Sequence, residues 1–305
     1  MSTIDAAAGT SRTLEGIAWM VLTGLMFACV TGIVRYLGSD MPAIEAAFIR
    51  YAIGLALISP IVIKAMRRRP STHLLKLYTA RGLVHGIAVM LWFYAMARIP
   101  IAEVTALGYT APIFVTIGAW LFLDETLHVR RIAGVIAGLI GVFIIVRPGF
   151  ESINSGQLAQ IATAPLFAAS FLLAKKLTET EDSATIVGML SVFCTLVLLP
   201  GAIMQWRTPT VEEVMWLGLT AVFATAGHYT LTRAFAAAPI TVTQPVSFLQ
   251  LVWASLIGIA LFNEMLDPFV ILGGGVIVAA ATYISHRETR AAREASTPPA
   301  PATKI

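Results

Sequence analysis

The chain has 305 residues, of which 57% are hydrophobic and only 12% are charged. A soluble domain carries about 25% charged residues, so most of this surface faces lipid; an ordinary soluble fold and a disordered chain are both excluded. The net charge of +4 sits mainly in short loops and the C-terminal tail, a pattern of membrane orientation rather than nucleic-acid binding.

Residues 1–13 read as a polar cytoplasmic tail without the basic segment, short apolar stretch and cleavage site of a signal peptide. A bilayer core takes about 20 apolar residues per helix. Ten such runs follow, near 16–36, 44–65, 75–97, 101–123, 129–146, 156–177, 184–204, 212–236, 240–262 and 268–286. Breakers such as Pro42, Pro70, Pro100, Pro148, Pro209, Pro239 and Pro268 mark the connections. Residues 287–305, rich in Ala, Pro and Thr, read as a disordered cytoplasmic tail. Cys29 and Cys194 lie far apart in apolar runs and read as small buried residues. No metal-ligand spacing is present, and neither a metal nor a cofactor is expected.

Charge placement orients the spans. With the N-terminus inside, fifteen of the 21 Lys and Arg fall on the cytoplasmic side. Four fall on the other side (Arg35, Arg98, Arg147 and Arg207), and Arg50 and Arg81 lie within spans. This bias places both termini in the cytoplasm and supports an even number of spans in a bacterial-type inner membrane.

The chain also repeats itself. Pro100 and Glu125 match Pro239 and Glu264 at an offset of 139, and Gly134 and Gly273 keep that offset. Gly16, Phe27 and Ala28 match Gly156, Phe167 and Ala168 at an offset of 140. Two five-helix units follow, 14–147 and 148–286. Five spans per unit make the second enter the membrane upside down relative to the first. Inverted repeats are a recurring architecture of secondary transporters.

Polar groups within spans are costly, which singles them out. Span 1 carries Phe27, whose repeat mate on span 6 is Phe167, with Phe171 one turn on. Arg50 in span 2 and Glu103 in span 4 lie at comparable depth and are candidates for a charge pair. Span 3 presents Arg81, His85, Ala88 and Trp92 along one face. Arg81 is close enough to the helix end to snorkel to headgroups. His85 lies about 15 Å along the helix at 1.5 Å per residue. It suits carboxylate binding, proton relay or an interhelical hydrogen bond. Span 8 offers Thr225, then His228 or Tyr229, then Thr232 as a stripe. Tyr109 and Thr110 precede Pro112, which frees a carbonyl and kinks span 4. Thr241, Gln244 and Pro245 make a similar polar segment at the start of span 9. Glu125 and Glu264 end spans 4 and 9 and suit helix-end support or gating.

The Pro100-x-Ala102 segment, the run from Gly108 to Pro112, Leu123 to Leu127, Gly134 and Gly141-Val142 recur in order and in part in the second half. In this the chain resembles the drug/metabolite transporter superfamily, specifically its EamA-type ten-helix exporters, and most closely the YddG-like amino-acid and metabolite exporters. The second half lacks a proline matching Pro112. The resemblance implies an all-α integral membrane protein, with ten transmembrane helices as two inverted repeats. It implies a central cavity lined mainly by helices 1, 3, 4, 6, 8 and 9.

The expected site is His85, Trp92, Tyr109, Phe27, Phe167, Phe171, Thr225, His228 and Tyr229, a mostly apolar pocket with a few hydrogen-bonding groups. It suits export of small amphiphiles, including amino acids, by alternating access. A broad drug or cation exporter is the alternative, and an intramembrane enzyme using His85 or His228 as a base a further one. No metal-binding His pair, nucleophile turn or phosphate loop supports catalysis or ATP use. No catalytic residue is therefore assigned. The expected partners are a small-molecule substrate and the bilayer, with the chain acting as a monomer.

Overall fold

The computed structural model describes residues 3–111, 113–114, 129–147, 153–177, 180–237 and 246–296. Its elements are α1 (Thr3–Leu37), α2 (Ala43–Leu57), α3 (Ser59–Arg67), α4 (Thr72–Met96), α5 (Ile101–Gly108), α6 (Val129–Val146), α7 (Ser155–Leu177), α8 (Ser183–Met204), α9 (Val211–Ala237), α10 (Leu249–Phe262) and α11 (Pro268–Ser296). No strand occurs among the described residues. In lipid each backbone polar group must be satisfied within its own segment, which helices achieve.

Five helical segments are long and apolar enough to cross a membrane: Leu14–Leu37, Thr72–Met96, Ser155–Ala174, Ser183–Met204 and Val211–Ala234. The pair α2 and α3 makes a sixth, bent by 72°. The expected straight span at 44–65 is therefore broken. Pro60 lies in the first turn of α3, where it has no N–H to donate and its ring excludes a continuous helix. Three shorter apolar segments, Ile136–Val146, Leu249–Phe262 and Pro268–Ala280, stand where spans 5, 9 and 10 are expected. Span 4 is described only at its start. α5 ends at Gly108, and the Thr110 hydroxyl donates to the Leu107 carbonyl at 2.7 Å. Pro112 and the Thr241–Pro245 segment lie outside the described residues. At the two chain ends the helices run further than expected, from Thr3 and to Ser296. Both extensions are rich in alanine, the strongest helix former.

Side chains fix several helix starts. Ser71 accepts from the Leu74 amide at 3.3 Å and caps α4. Asn154 and Gln157 exchange hydrogen bonds of 2.9 and 3.0 Å at the start of α7. Thr210 and Glu213 do the same for α9, at 3.2 and 2.7 Å. These are reciprocal capping boxes. Asp182 accepts from both the amide and the hydroxyl of Thr185, at 2.9 and 2.8 Å, and starts α8. Those bonds hold its carboxyl below the usual carboxylate range.

The helices pack by exchange. α1 packs on α9, and α7, the repeat mate of α1, packs on α4, the mate of α9. α1 meets α10 as α7 meets α5, and α2 meets α9 as α8 meets α4. α2 packs on α8 and α6 on α11, each against its own counterpart. The central polar residues therefore lie where one half meets the other. The main apolar core fills the same junction with Tyr51, Phe93, Met96, Leu107, Cys194 and Leu198. Away from it, α6 and α11 approach until their backbones nearly touch. A Cβ on Gly141 would stand 2.7 Å from the Gly273 carbonyl, and one on Gly273 2.6 Å from the Gly141 carbonyl. Small residues permit such contacts between membrane helices.

Two outcomes test this packing. Gly141→Val and Gly273→Val should each destabilise the protein by about 1–3 kcal/mol, since overpacking must separate two backbones. Gly218→Ala, which meets nothing within 4 Å, should keep or slightly raise the melting temperature in detergent, since alanine favours the helix over glycine. Asp182→Ala should cost about 1 kcal/mol at neutral pH. Because this carboxyl titrates low when folded, that contribution is present above its unfolded pKa and fades as pH falls through the folded one. The melting difference between wild type and variant should shrink on acidification.

Candidate functional site

Five helices bring rings together at the junction. His85 on α4 is buried, and its Nδ1 stands 2.8 Å from the Ser170 hydroxyl on α7. Its ring meets Phe167 of α7 at 5.2 Å, His228 of α9 at 5.5 Å and Tyr51 of α2 at 6.4 Å, all edge-on. Phe27 of α1 lies edge-on to His228 at 5.2 Å. Trp92 of α4 meets Phe167 at 6.2 Å, and Phe171 stacks beside Phe167 at 6.0 Å. Edge-on contacts between aromatic rings add about 0.5–1.5 kcal/mol beyond area burial and fix ring orientation. His85 is 1% exposed, whereas His228 and Phe27 are only half-buried. The Nε2 atom of His85 is buried and unpartnered. Packed rings and one unpartnered polar nitrogen thus come together between the two halves.

Six of the nine expected pocket residues form this cluster: Phe27, His85, Trp92, Phe167, Phe171 and His228. The other three are turned to different tasks. Tyr109 donates from its hydroxyl to the Ser247 carbonyl at 3.2 Å and packs edge-on against Phe248, tying the end of α5 to the start of α10. Thr225 faces Gly54 on α2. Tyr229 is 39% exposed and accepts from Arg233 at 3.4 Å. His228 and Tyr229 are one residue apart, about 100° around the helix, so only one can face inward.

Arg50 and Glu103 are both buried, but no ion pair joins them. Glu103 accepts from Gln157 Nε2 at 2.7 Å, so the capping residue of α7 also ties that helix to α5. Arg50 lies 3.9 Å over the Tyr51 ring. Arg81 is 4% exposed and donates to the Ile186 carbonyl of α8 at 3.3 Å. It does not snorkel, because α8 covers it. Cys194 is buried as expected, whereas Cys29 is half-buried; neither forms a disulfide.

Glu264 is a clamp. Asn263 adopts a left-handed conformation (φ 51°) and ends α10, and the Glu264 amide returns to the Gly258 carbonyl at 3.1 Å. Its carboxylate then accepts from Arg35 Nε of α1 at 3.0 Å and from the Ile101 amide that opens α5 at 2.9 Å. One side chain thereby holds three helices. Glu125 lies outside the described residues.

Sequence reasoning missed Ser170, Tyr51, Gln157 and the Thr23–Thr230 hydroxyl contact of 2.8 Å between α1 and α9. Ser170 carried a signal: it lies three residues after Phe167, on the same face. Tyr51 places span 2 at the site beside the expected spans.

A bundle of apolar helices with a ring-lined polar centre between its two halves is the construction of a multi-pass membrane transporter. The chain belongs to the EamA-like transporter family, whose profile matches residues 14–147 and again 154–286. It is thus a multi-pass protein of the inner membrane. It is 30% identical to a riboflavin transporter of Vibrio cholerae, over 92% of this chain and 96% of that one. It is also 30% identical to a riboflavin transporter of Rhizobium johnstonii, over 96% and 98% of the two chains. An S-adenosylmethionine uptake transporter of Rickettsia bellii is 26% identical, over 90% and 95%. A solved crystal structure shares the fold with a TM-score of 0.55 at 17% identity, covering 94% of this chain and 99% of that one.

Removing the Glu264 clamp separates its two bonds. Glu264→Ala should cost about 1–3 kcal/mol, because the Ile101 amide loses its acceptor in a poorly hydrated place. Glu264→Gln keeps an acceptor and loses only the part-exposed ion pair, at about 1 kcal/mol or less. Melting temperatures should fall in the order wild type, Gln, Ala.

Proposed function

We propose that this chain is a secondary carrier of small amphiphilic metabolites, moved by alternating access between two inverted halves. Its preferred cargo joins a flat aromatic or heteroaromatic ring to a polar tail. The observation that carries this reading is the ring cluster of Phe27, His228, His85, Phe167 and Trp92, drawn from helices of both halves. Rocking the halves apart would open the cluster to one side and then the other. The double family match and the exchange pattern of helix contacts support two equivalent halves. Five spans in each half would give them opposite orientations.

Riboflavin and S-adenosylmethionine, the cargoes for which the relatives are named, each join a heteroaromatic ring to a polar tail. Aromatic amino acids share that plan at smaller size, so amino-acid export is the narrower form of the same reading. Broad cation export is disfavoured by Arg50 and Arg81, two buried cations beside the cluster. The reading uses no metal, cofactor or catalytic residue, and a single chain supplies the whole pathway.

Counterflow in proteoliposomes tests it, with riboflavin, S-adenosylmethionine and tryptophan each trapped inside and followed as label. We expect exchange for at least one. His228→Ala should slow it about tenfold or more, as loss of a central polar contact does. Thr225→Val, outside the cluster, should slow it less than threefold by the same scale. No exchange of any of the three by folded protein removes the proposal. A pH gradient across the same vesicles reads proton coupling, and the imposed cargo gradient reads direction.

A further inference from the structure

Two arginines in this interior have no ion-pair partner among the described residues. Arg50 and Arg81 are 5% and 4% exposed. No described carboxylate stands within ion-pairing distance of either. Arg81 has one hydrogen bond, to the Ile186 carbonyl, and its Nε is buried and unpartnered. Arg50 rests on the face of Tyr51. A buried charge costs several kcal/mol unless it is paired, so two together without an acid call for an anion.

The surrounding groups are donors too. His85 Nε2 is buried and unpartnered, and the buried Tyr51 hydroxyl, beside Arg50 and Cys194, makes no hydrogen bond of normal geometry. Nδ1 of His85 shares a 2.8 Å hydrogen bond with the Ser170 hydroxyl; in the tautomer in which Ser170 donates, the ring hydrogen sits on Nε2, free for an anion. Tyr51 lies edge-on to His85 at 6.4 Å, and Cys194 reaches the Gly82 carbonyl between α8 and α4 at 3.6 Å. Arg50 lies over the Tyr51 ring, and Arg81 precedes Gly82, whose carbonyl Cys194 meets. Buried acids of the neighbouring helices have other partners: Glu103 accepts from Gln157 at 2.7 Å. Glu45 accepts from the Arg207 amide at 3.0 Å, and Asp182 caps α8.

We infer that Arg50, Arg81, the Tyr51 hydroxyl and His85 Nε2 form an anion subsite that takes the carboxylate of the cargo, while the adjoining rings take its aromatic part. The planar fork of arginine matches a carboxylate in two parallel hydrogen bonds. The subsite lies between α2, α4 and α8, on the Tyr51 side of His85; the phenylalanines Phe27 and Phe167 lie against His228 and His85. The inference rests on the carrier reading and narrows it to aromatic or heteroaromatic carboxylates, zwitterions included.

The test uses the intact chain and a charge series on one ring: indole-3-acetate, its neutral amide, tryptophan and cationic tryptamine. Each competes for counterflow in proteoliposomes, with riboflavin as an uncharged reference. Indole-3-acetate should compete about tenfold or more better than its amide, and tryptamine worst, as charge-assisted hydrogen bonds require. Wild-type protein alone decides this point, whatever the variants do. In Arg50→Gln and Arg81→Gln, checked by melting, the acid-to-amide ratio should fall toward one. A residue that only supports the fold would lower all four affinities together. Arg50→Lys and Arg81→Lys should keep an intermediate ratio. Equal competition by acid and amide overturns the subsite, as does an unchanged ratio in both Gln variants or an acid effect matched by chloride alone. Riboflavin exchange without acid preference overturns the subsite and leaves the carrier reading standing. No exchange of any compound by folded protein overturns the carrier reading itself.

Discussion

A histidine in the apolar interior of a membrane protein must find a partner there, and His85 finds Ser170 at 2.8 Å on a helix from the other half of the chain. An unmet polar group at that depth costs about 1–3 kcal/mol, more than most single contacts return. The bond therefore sets the register of α4 against α7. Once that register is fixed, Phe167 and Trp92 are brought edge to edge, and His228 is left against His85 from the opposite side. Equivalent packing of α1 on α9 is held by the Thr23–Thr230 contact. The two long helix pairs that flank the site each carry one buried polar bond across the halves, with exposed ones nearer their ends.

The periphery follows a different logic. α6 and α11 meet through glycine backbones rather than through side-chain chemistry, and their contact is close and apolar. At the helix ends, carboxylates do the joining: Glu264 gathers α1, α5 and α10, and Asp267 accepts from Arg147 at 2.6 Å. Interfaces in lipid are held by close packing and a few polar contacts, since the apolar solvent offers no hydrophobic drive between helices.

Much of this was legible in the primary structure because charge and polarity are rare in it. His85 and His228 stood out by type and depth. Phe27 and Phe167 stood out through the 140-residue offset, and Asn263-Glu264 through its place after an apolar run. What failed was azimuth and cover. Depth along a helix does not say which way a side chain points, so Arg50 and Glu103 were matched by depth but turn to Tyr51 and Gln157. Arg81 was near enough to a helix end to reach water, but the packing of α8 over it is a tertiary fact. Tyr229 and His228 differ by one residue, and the polar stripe accepted either. The break at Ile58 was announced by Pro60, yet the apolar run around it was long enough to read as one span.

The exchange of partners between halves also governs how the chain is made. α1 ends at residue 37 and its partner α9 begins at residue 211. At about 5–20 residues per second, synthesis leaves α1 waiting on the order of ten to thirty seconds before its neighbour exists. Thr23 and Thr31 can wait, because their hydroxyls donate to carbonyls one turn back in the same helix. His85 has no such local acceptor among its recorded bonds. Until α7 emerges from the ribosome, His85 on α4 therefore lacks its partner, and the arrival of Ser170 supplies it; Arg81 on the same helix waits longer, for Ile186 of α8.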